Sequence, residues 1–308
     1  MQIPRSLSEK VERVHGERGR AWLDKLPALV NECRERWSLE LGQPFANLSY
    51  NLVLPATGSD GVELVLKLGV PCRELLTEAA ALGVFQGVGA VRLLDHEAPR
   101  GILLMERVVP GTPIHKLQSE PEATRTAATL MLELWQSPPA NYAFPSLAIW
   151  FQAFARLRNN FAGGCGPFPA KLINKAERTF AELSASTVRT LILHGDLHHA
   201  NILFSAKRGW LAIDPKGICG DPGYEVGPFL INQLPAGASE SATMAILKQR
   251  LAIFSEELGG GQRRLAQWSF CHAVLSALWD FEESAEWRPT MKLALMLEQL
   301  SKLGTGAV

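Results

Sequence analysis

The sequence predicts an α+β chain in two parts, a small β-rich lobe with preceding helices at residues 1–108 and a larger helical lobe at 109–308. Three observations predict it. In SYNLVLPATGSDGVELVLKLGV, two short apolar runs flank a Gly/Asp/Ser turn. Beyond residue 113 most segments carry a helical period, and a single strand-rich stretch, TLILHGDLHHANILFSAKRGWLAID, interrupts them.

Taken in order, Leu7, Val11, Val14, Trp22, Leu26, Leu29 and Cys33 recur at three- and four-residue steps and predict amphipathic helices before residue 36. The hairpin comes next. Pro71 then opens a helix whose apolar face is Leu75, Leu76, Ala79 and Leu82, ending at the glycines 87 and 89. Further strands are expected at 90–96 and 101–108, and VPGTP at 109–113 reads as a linker. Helices are predicted near 120–136, 146–162, 169–187, 240–258, 262–284 and 289–303, with Gly259-Gly260-Gly261 as a helix stop. Short strands at 190–193, 201–205 and 210–213 complete the set.

Composition narrows the function. Lys+Arg and Asp+Glu number 31 each, so no net field favours nucleic acid or an anionic membrane, and a charged ligand must be met locally. The N-terminus is charge-dense and lacks a signal-peptide core, while prolines 138, 139 and 145 break the one long uncharged stretch. No membrane segment is predicted, and five scattered cysteines without a C-x-x-C fit reduced thiols in a cytoplasm.

Three readings compete for HGDLHHAN, residues 194–201. Its histidines and aspartate could simply satisfy backbone groups at a strand end. They could bind zinc in a metal-dependent hydrolase, although residues 198 and 199 point different ways on an extended segment and no H-E-x-x-H pattern is present. Or Asp196, Asn201 and Asp214 (in WLAIDPKG) could form a phosphoryl-transfer set, one carboxylate orienting a hydroxyl, the amide and the second carboxylate offering oxygen ligands to Mg²⁺. Lys67 stands out independently, as the only cation in an apolar strand, on the face opposite Leu64, Leu66 and Leu68. A solvent-edge lysine is the competing reading there.

HGDLHHAN is similar to the H-x-D-x-x-x-x-N catalytic loop of the protein-kinase-like fold, in the form with Gly after the first His seen in aminoglycoside phosphotransferases. With PFANLSYNLVLPAT, ELVLKLGVP, ELLTEAAAL, LLMERVVPGTP and GWLAIDPKG present in family order, the chain resembles the streptomycin and hydroxyurea resistance kinases from about residue 20 to 285. The resemblance implies a bilobal protein-kinase-like fold, ATP (with GTP open) and Mg²⁺ as cofactors, and a small-molecule hydroxyl as acceptor. Carried over position by position, it implies Asp196 as catalytic base, Asn201 and Asp214 as Mg²⁺ ligands, Lys67 on the nucleotide phosphates and Glu78 as its partner, with Glu74 the alternative. His198 occupies a loop position where a cation neutralises the transferring phosphate. Glu106 and Val108, within Met105 to Val108, resemble a hinge that contacts a purine through backbone groups.

The chain departs from kinase pattern twice. ANLSYN stands where a glycine-rich loop would, so phosphate cover falls to Ser49, Asn51 and backbone N–H groups, and Asp214-Pro215-Lys216-Gly217 replaces Asp-Phe-Gly. No P-loop is present. For a cationic acceptor, carboxylates with aromatic walls are sought among Asp221, Glu225, Trp279, Asp280, Glu282, Glu283, Glu286 and Trp287, with Glu225 and Asp280 preferred. A streptomycin-type aminoglycoside leads. The alternatives are hydroxyurea, an amino alcohol or sugar metabolite, or a nucleotide-binding module without turnover; oligomeric state is left open.

Overall fold

The computed structural model describes residues 3–46 and 48–303. The chain divides into two compact units, Met1–Gly111 and Thr112–Val308.

In the first unit, helix α1 (Arg5–Arg36) is broken at Gly16, which adopts φ 55° and ψ −131°. Leu7 and Val11 before the break, and Trp22, Leu26, Val30 and Cys33 after it, are buried. Val14, expected on the same face, is 48% exposed, because the helix turns at Gly16 before that face continues. The sheet contains β1 (Glu40–Leu41), β2 (Leu52–Thr57), β3 (Glu63–Leu68), β4 (Leu93–Glu97) and β5 (Ile102–Glu106), in the order β1-β2-β3-β5-β4. Every pairing is antiparallel.

Alternation along the strands does the sorting. Leu52 and Leu54 of β2 and Leu66 and Leu68 of β3 share one core with the apolar stripe of α1. The other face receives α2 (Arg73–Phe85), which buries Leu75, Ala79 and Leu82. Leu76, predicted to join them, is exposed: it lies one position, about 100°, round the helix from Leu75. The predicted linker contains a short strand, β6 (Pro110–Pro113), and the division between units falls within it.

The second unit holds α3 (Glu120–Leu134), α4 (Leu147–Asn160), α5 (Ala170–Ala185), α6 (Val226–Ile231), α7 (Glu240–Leu258), α8 (Gln262–Glu283) and α9 (Arg288–Leu303). Helix α8 is its axis, buried at most positions from Leu265 to Leu278, as its lack of a polar face requires. Two short antiparallel pairs carry the chemistry-bearing loop: β7 (Leu191–Leu193) with β10 (Ile218–Gly220), and β8 (Ile202–Ser205) with β9 (Gly209–Ala212). The glycine run acts as a stop, Gly259 capping α7 in the left-handed region at φ 68° and Gly261 preceding α8. Sequence periodicity missed α6 and β10, which are too short to show a period. Among the described residues no helix is long and apolar enough to cross a membrane, and all five cysteines are free thiols.

Candidate active site

Lys67 lies on β3, which is flanked on both sides by β2 and β5, so it is not a solvent-edge residue. Its side chain is buried, and its ammonium donates to both oxygens of Glu78 at 2.7 and 2.8 Å. Glu78, rather than Glu74, therefore partners it. A buried lysine needs such a carboxylate, since an unpaired charge there would bear its full desolvation penalty. In the same unit the Asn51 amide packs so closely on Gly69 that a Cβ there would overlap it, whereas Ser49 is exposed. The Glu106 N–H donates to the Arg92 carbonyl at 3.0 Å, and its carboxylate accepts the Arg92 N–H at 2.7 Å. That exchange fixes the end of β5 and leads into the buried Val108.

In the second unit, HGDLHHAN connects β7 to β8. Gly195 has φ 84°, and a Cβ on it would lie 2.7 Å from the tip of the Trp150 indole, so the turn before Asp196 requires glycine on both counts. Glu225 holds this turn: its two oxygens accept the His194 and Gly195 N–H groups at 2.7 and 2.8 Å. The β8–β9 hairpin then places the far end of the loop. Ile202 pairs with Ala212, and the Ile213 N–H donates to the Asn201 carbonyl at 3.0 Å, so Asn201 stands opposite Ile213 and one residue from Asp214. Asp214 itself adopts φ 59°, a left-handed conformation unusual for a non-glycine residue and enriched at functional sites.

The three histidines go separate ways. His194 is fully buried; its Nε2 donates to the Ile213 carbonyl at 2.8 Å, leaving Nδ1 to accept the Asp196 N–H at 3.3 Å. Burial pushes its pKa down to about 3, so the ring is neutral. His199 turns inward and stacks on Phe229, with ring centroids 3.8 Å apart. His198 alone stays near the carboxylate, with Nε2 3.9 Å from Asp196 Oδ1 and Nδ1 accepting the Ala200 N–H at 3.2 Å. Among the described residues no group of three or more His, Cys, Asp or Glu side chains converges as a metal cage.

Oxygen donors are better placed. The Asn201 amide nitrogen donates to the Asp196 carbonyl at 3.0 Å, which fixes the orientation of the amide and turns its oxygen away from that bond. An oriented amide oxygen together with the Asp214 carboxylate is a donor set that suits hard Mg²⁺ and not zinc.

The acceptor carboxylates need correction. Glu225 is buried with both oxygens occupied by backbone N–H groups, so it shapes the loop instead of facing a substrate. Burial pushes its carboxyl up to about 7, with the Asp196 charge adding to the shift and the two N–H donors opposing it. Asp221 is likewise buried, bound by Arg264 at 2.5 Å and by the Gly223 N–H at 2.9 Å. Trp287 is buried against Phe168, while Glu282, Glu283 and Glu286 are exposed. Asp280 is half-buried and accepts from the Thr290 hydroxyl at 2.5 Å, and burial raises its pKa. Trp279 packs edge-on against Trp150 with centroids 5.7 Å apart, which brings an aromatic pair to the turn before Asp196. Sequence reading missed Trp150, whose only local signal is a tryptophan in an apolar helix.

With this geometry in view, the fold has close counterparts. A thermostable mutant of an aminoglycoside phosphotransferase, solved in a ternary complex with ADP and hygromycin B, matches with a TM-score of 0.61 at 13% identity, over 90% of this chain and 99% of that one. The fold is thus that of the protein-kinase-like small-molecule kinases. The profile of aminoglycoside/hydroxyurea antibiotic resistance kinases matches residues 36–284, and the chain belongs to that family. A streptomycin 6-kinase from Streptomyces glaucescens is 32% identical over 286 residues, 92% of each chain. A hydroxyurea phosphotransferase from Kitasatospora aureofaciens is 32% identical over 308 residues, 99% of this chain and 87% of its own. The protein is a phosphotransferase that uses a nucleotide and acts on a hydroxyl group of a small molecule.

Proposed function

We propose that the chain transfers the γ-phosphoryl group of ATP, with Mg²⁺, to a hydroxyl of a streptomycin-type aminoglycoside and thereby inactivates it. The observation that carries this reading is the loop and hairpin of the second unit, which fix Asp196, Asn201 and Asp214 relative to one another. Asn201 and Asp214 would hold the metal; bound there, Mg²⁺ supplies charge neutralisation on the nucleotide phosphates.

Asp196 aims the acceptor oxygen and takes its proton as the new P–O bond forms and the bond to the ADP oxygen breaks. The transition state is loose, so positioning and charge dominate over basicity. His198, with Nδ1 occupied by a backbone N–H and Nε2 3.9 Å from Asp196 Oδ1, would neutralise charge on the transferring phosphate. Lys67, oriented by Glu78, serves the phosphates; Asn51, Ser49 and the backbone of Glu106 and Val108 contribute to nucleotide binding. Asp280, the residue after Trp279 in α8, is offered to acceptor cations, and the Trp150–Trp279 pair to their apolar faces.

A second reading, hydroxyurea as acceptor, is favoured by a relative of equal identity that spans 99% of this chain. Incubating the protein with Mg²⁺ and ATP against streptomycin, other aminoglycosides, hydroxyurea and amino alcohols, with products tracked by mass spectrometry, tests both. Streptomycin is expected to gain one phosphate. Phosphorylation of hydroxyurea alone would replace the first reading with the second.

A further inference from the structure

Arg250 is a fully buried cation in the middle of α7, and nothing in the proposed chemistry uses it. Its guanidinium is held by Glu120 at 2.6 and 3.0 Å, a two-point match of fork to carboxylate. One nitrogen, Nη1, donates to the carbonyls of Phe229, Leu230 and Asn232 at 2.8, 2.9 and 2.8 Å, which caps the end of α6. The other, Nη2, lies 3.3 Å from Nε2 of His199, inside the catalytic loop.

These contacts make α6 a strut under both ends of HGDLHHAN. At its start, Glu225 binds the His194 and Gly195 N–H groups. At its end, Arg250 gathers the last carbonyls and reaches His199, which opens the 3-10 turn His199–Asn201. Asn201 closes that turn and ties back to the Asp196 carbonyl.

Arginine can only donate, so His199 Nε2 accepts, and the ring proton sits on Nδ1, which is buried without a partner among the described residues. A phenyl ring would stack on Phe229 equally well without that unmatched nitrogen. What imidazole adds is the link to Arg250.

We propose that Arg250 is a positioning residue for phosphoryl transfer: fixed by Glu120 and acting through His199, it sets the turn that presents the Asn201 amide oxygen. The inference rests on the assignment of Asn201 as a metal ligand. Weakening the brace therefore impairs metal–nucleotide binding before it impairs acceptor binding, as loss of groups that orient a ligand does elsewhere.

The test uses His199→Phe, which keeps the stack and loses the acceptor nitrogen, and Arg250→Lys, which keeps the charge and loses the fork. Calorimetric titration with ADP, with and without Mg²⁺, is compared with the wild type, alongside circular dichroism and KM for the acceptor. We expect both folded variants to bind Mg²⁺·ADP about tenfold or more weakly, with metal-free ADP binding and acceptor KM unchanged. Should Arg250→Lys not fold, His199→Phe decides. Wild-type Mg²⁺·ADP affinity in folded His199→Phe, with only a lowered melting temperature, would overturn the proposal and leave Arg250 as a stabilising residue. Asn201→Ala is the control for the underlying reading: if it too binds Mg²⁺·ADP like wild type, the metal assignment fails, and the brace proposal with it.

Discussion

The Lys67 ammonium sits 2.7 and 2.8 Å from the two carboxylate oxygens of Glu78, in the interior of the first unit. Glu78→Gln keeps the shape of the pair and removes its charge, so the lysine loses its anchor. The expected outcome is a higher KM for ATP and a kcat/KM lower by about 10²-fold, the scale of a misplaced catalytic group. Initial rates over a range of ATP concentrations check this; an unchanged ATP dependence would place the pair outside the reaction.

Glu225 accepts two backbone N–H groups that no water can reach, since it and both donors are buried. Glu225→Ala leaves the two donors orphaned. The loss of stability should be on the order of 3 kcal/mol, measured by denaturant unfolding, and turnover should fall further because the turn before Asp196 loosens.

Glu120 predicts an acid limb of stability. Burial works against its charge, yet the Arg250 fork at 2.6 and 3.0 Å outweighs burial and holds its carboxyl at about 2, below the ordinary 4.5. A carboxylate depressed on folding contributes stability that is complete above the unfolded pKa and is lost as pH falls from about 4.5 toward 2. Glu120→Gln should be less stable than wild type at neutral pH and show a shallower decline across that acid window. Thermal melts from pH 7 to pH 2.5 read this directly, and parallel curves for the two proteins would remove Glu120 from the acid response.

Much of the site was legible because its residues travel in short, spaced strings. Asp196 and Asn201 share one loop, Asp214 ends the next strand, and Lys67 interrupts an apolar strand where no other cation stands. The six longest helices of the second unit begin and end within two residues of where periodicity placed them. The illegible part depends on contacts between distant segments. Glu225 was read as a ligand because an acidic residue after GDPGY carries no mark of burial; its two hydrogen bonds cross about thirty residues of chain. Glu120 lies 130 residues from Arg250. A usable signal for Arg250 did exist: with Leu247, Leu251 and Phe254 it falls on the buried face of α7, where a lone cation demands a partner.

The central claim is that Asp196 directs an acceptor hydroxyl at the phosphoryl group of a nucleotide whose Mg²⁺ is held by Asn201 and Asp214. Its most direct test is the rate of Mg²⁺- and ATP-dependent phosphorylation of streptomycin by Asp196→Ala, with nucleotide binding measured on the same preparation. The account predicts turnover reduced by roughly 10²–10⁴-fold with Mg²⁺·ADP affinity retained. Full turnover by Asp196→Ala would contradict it.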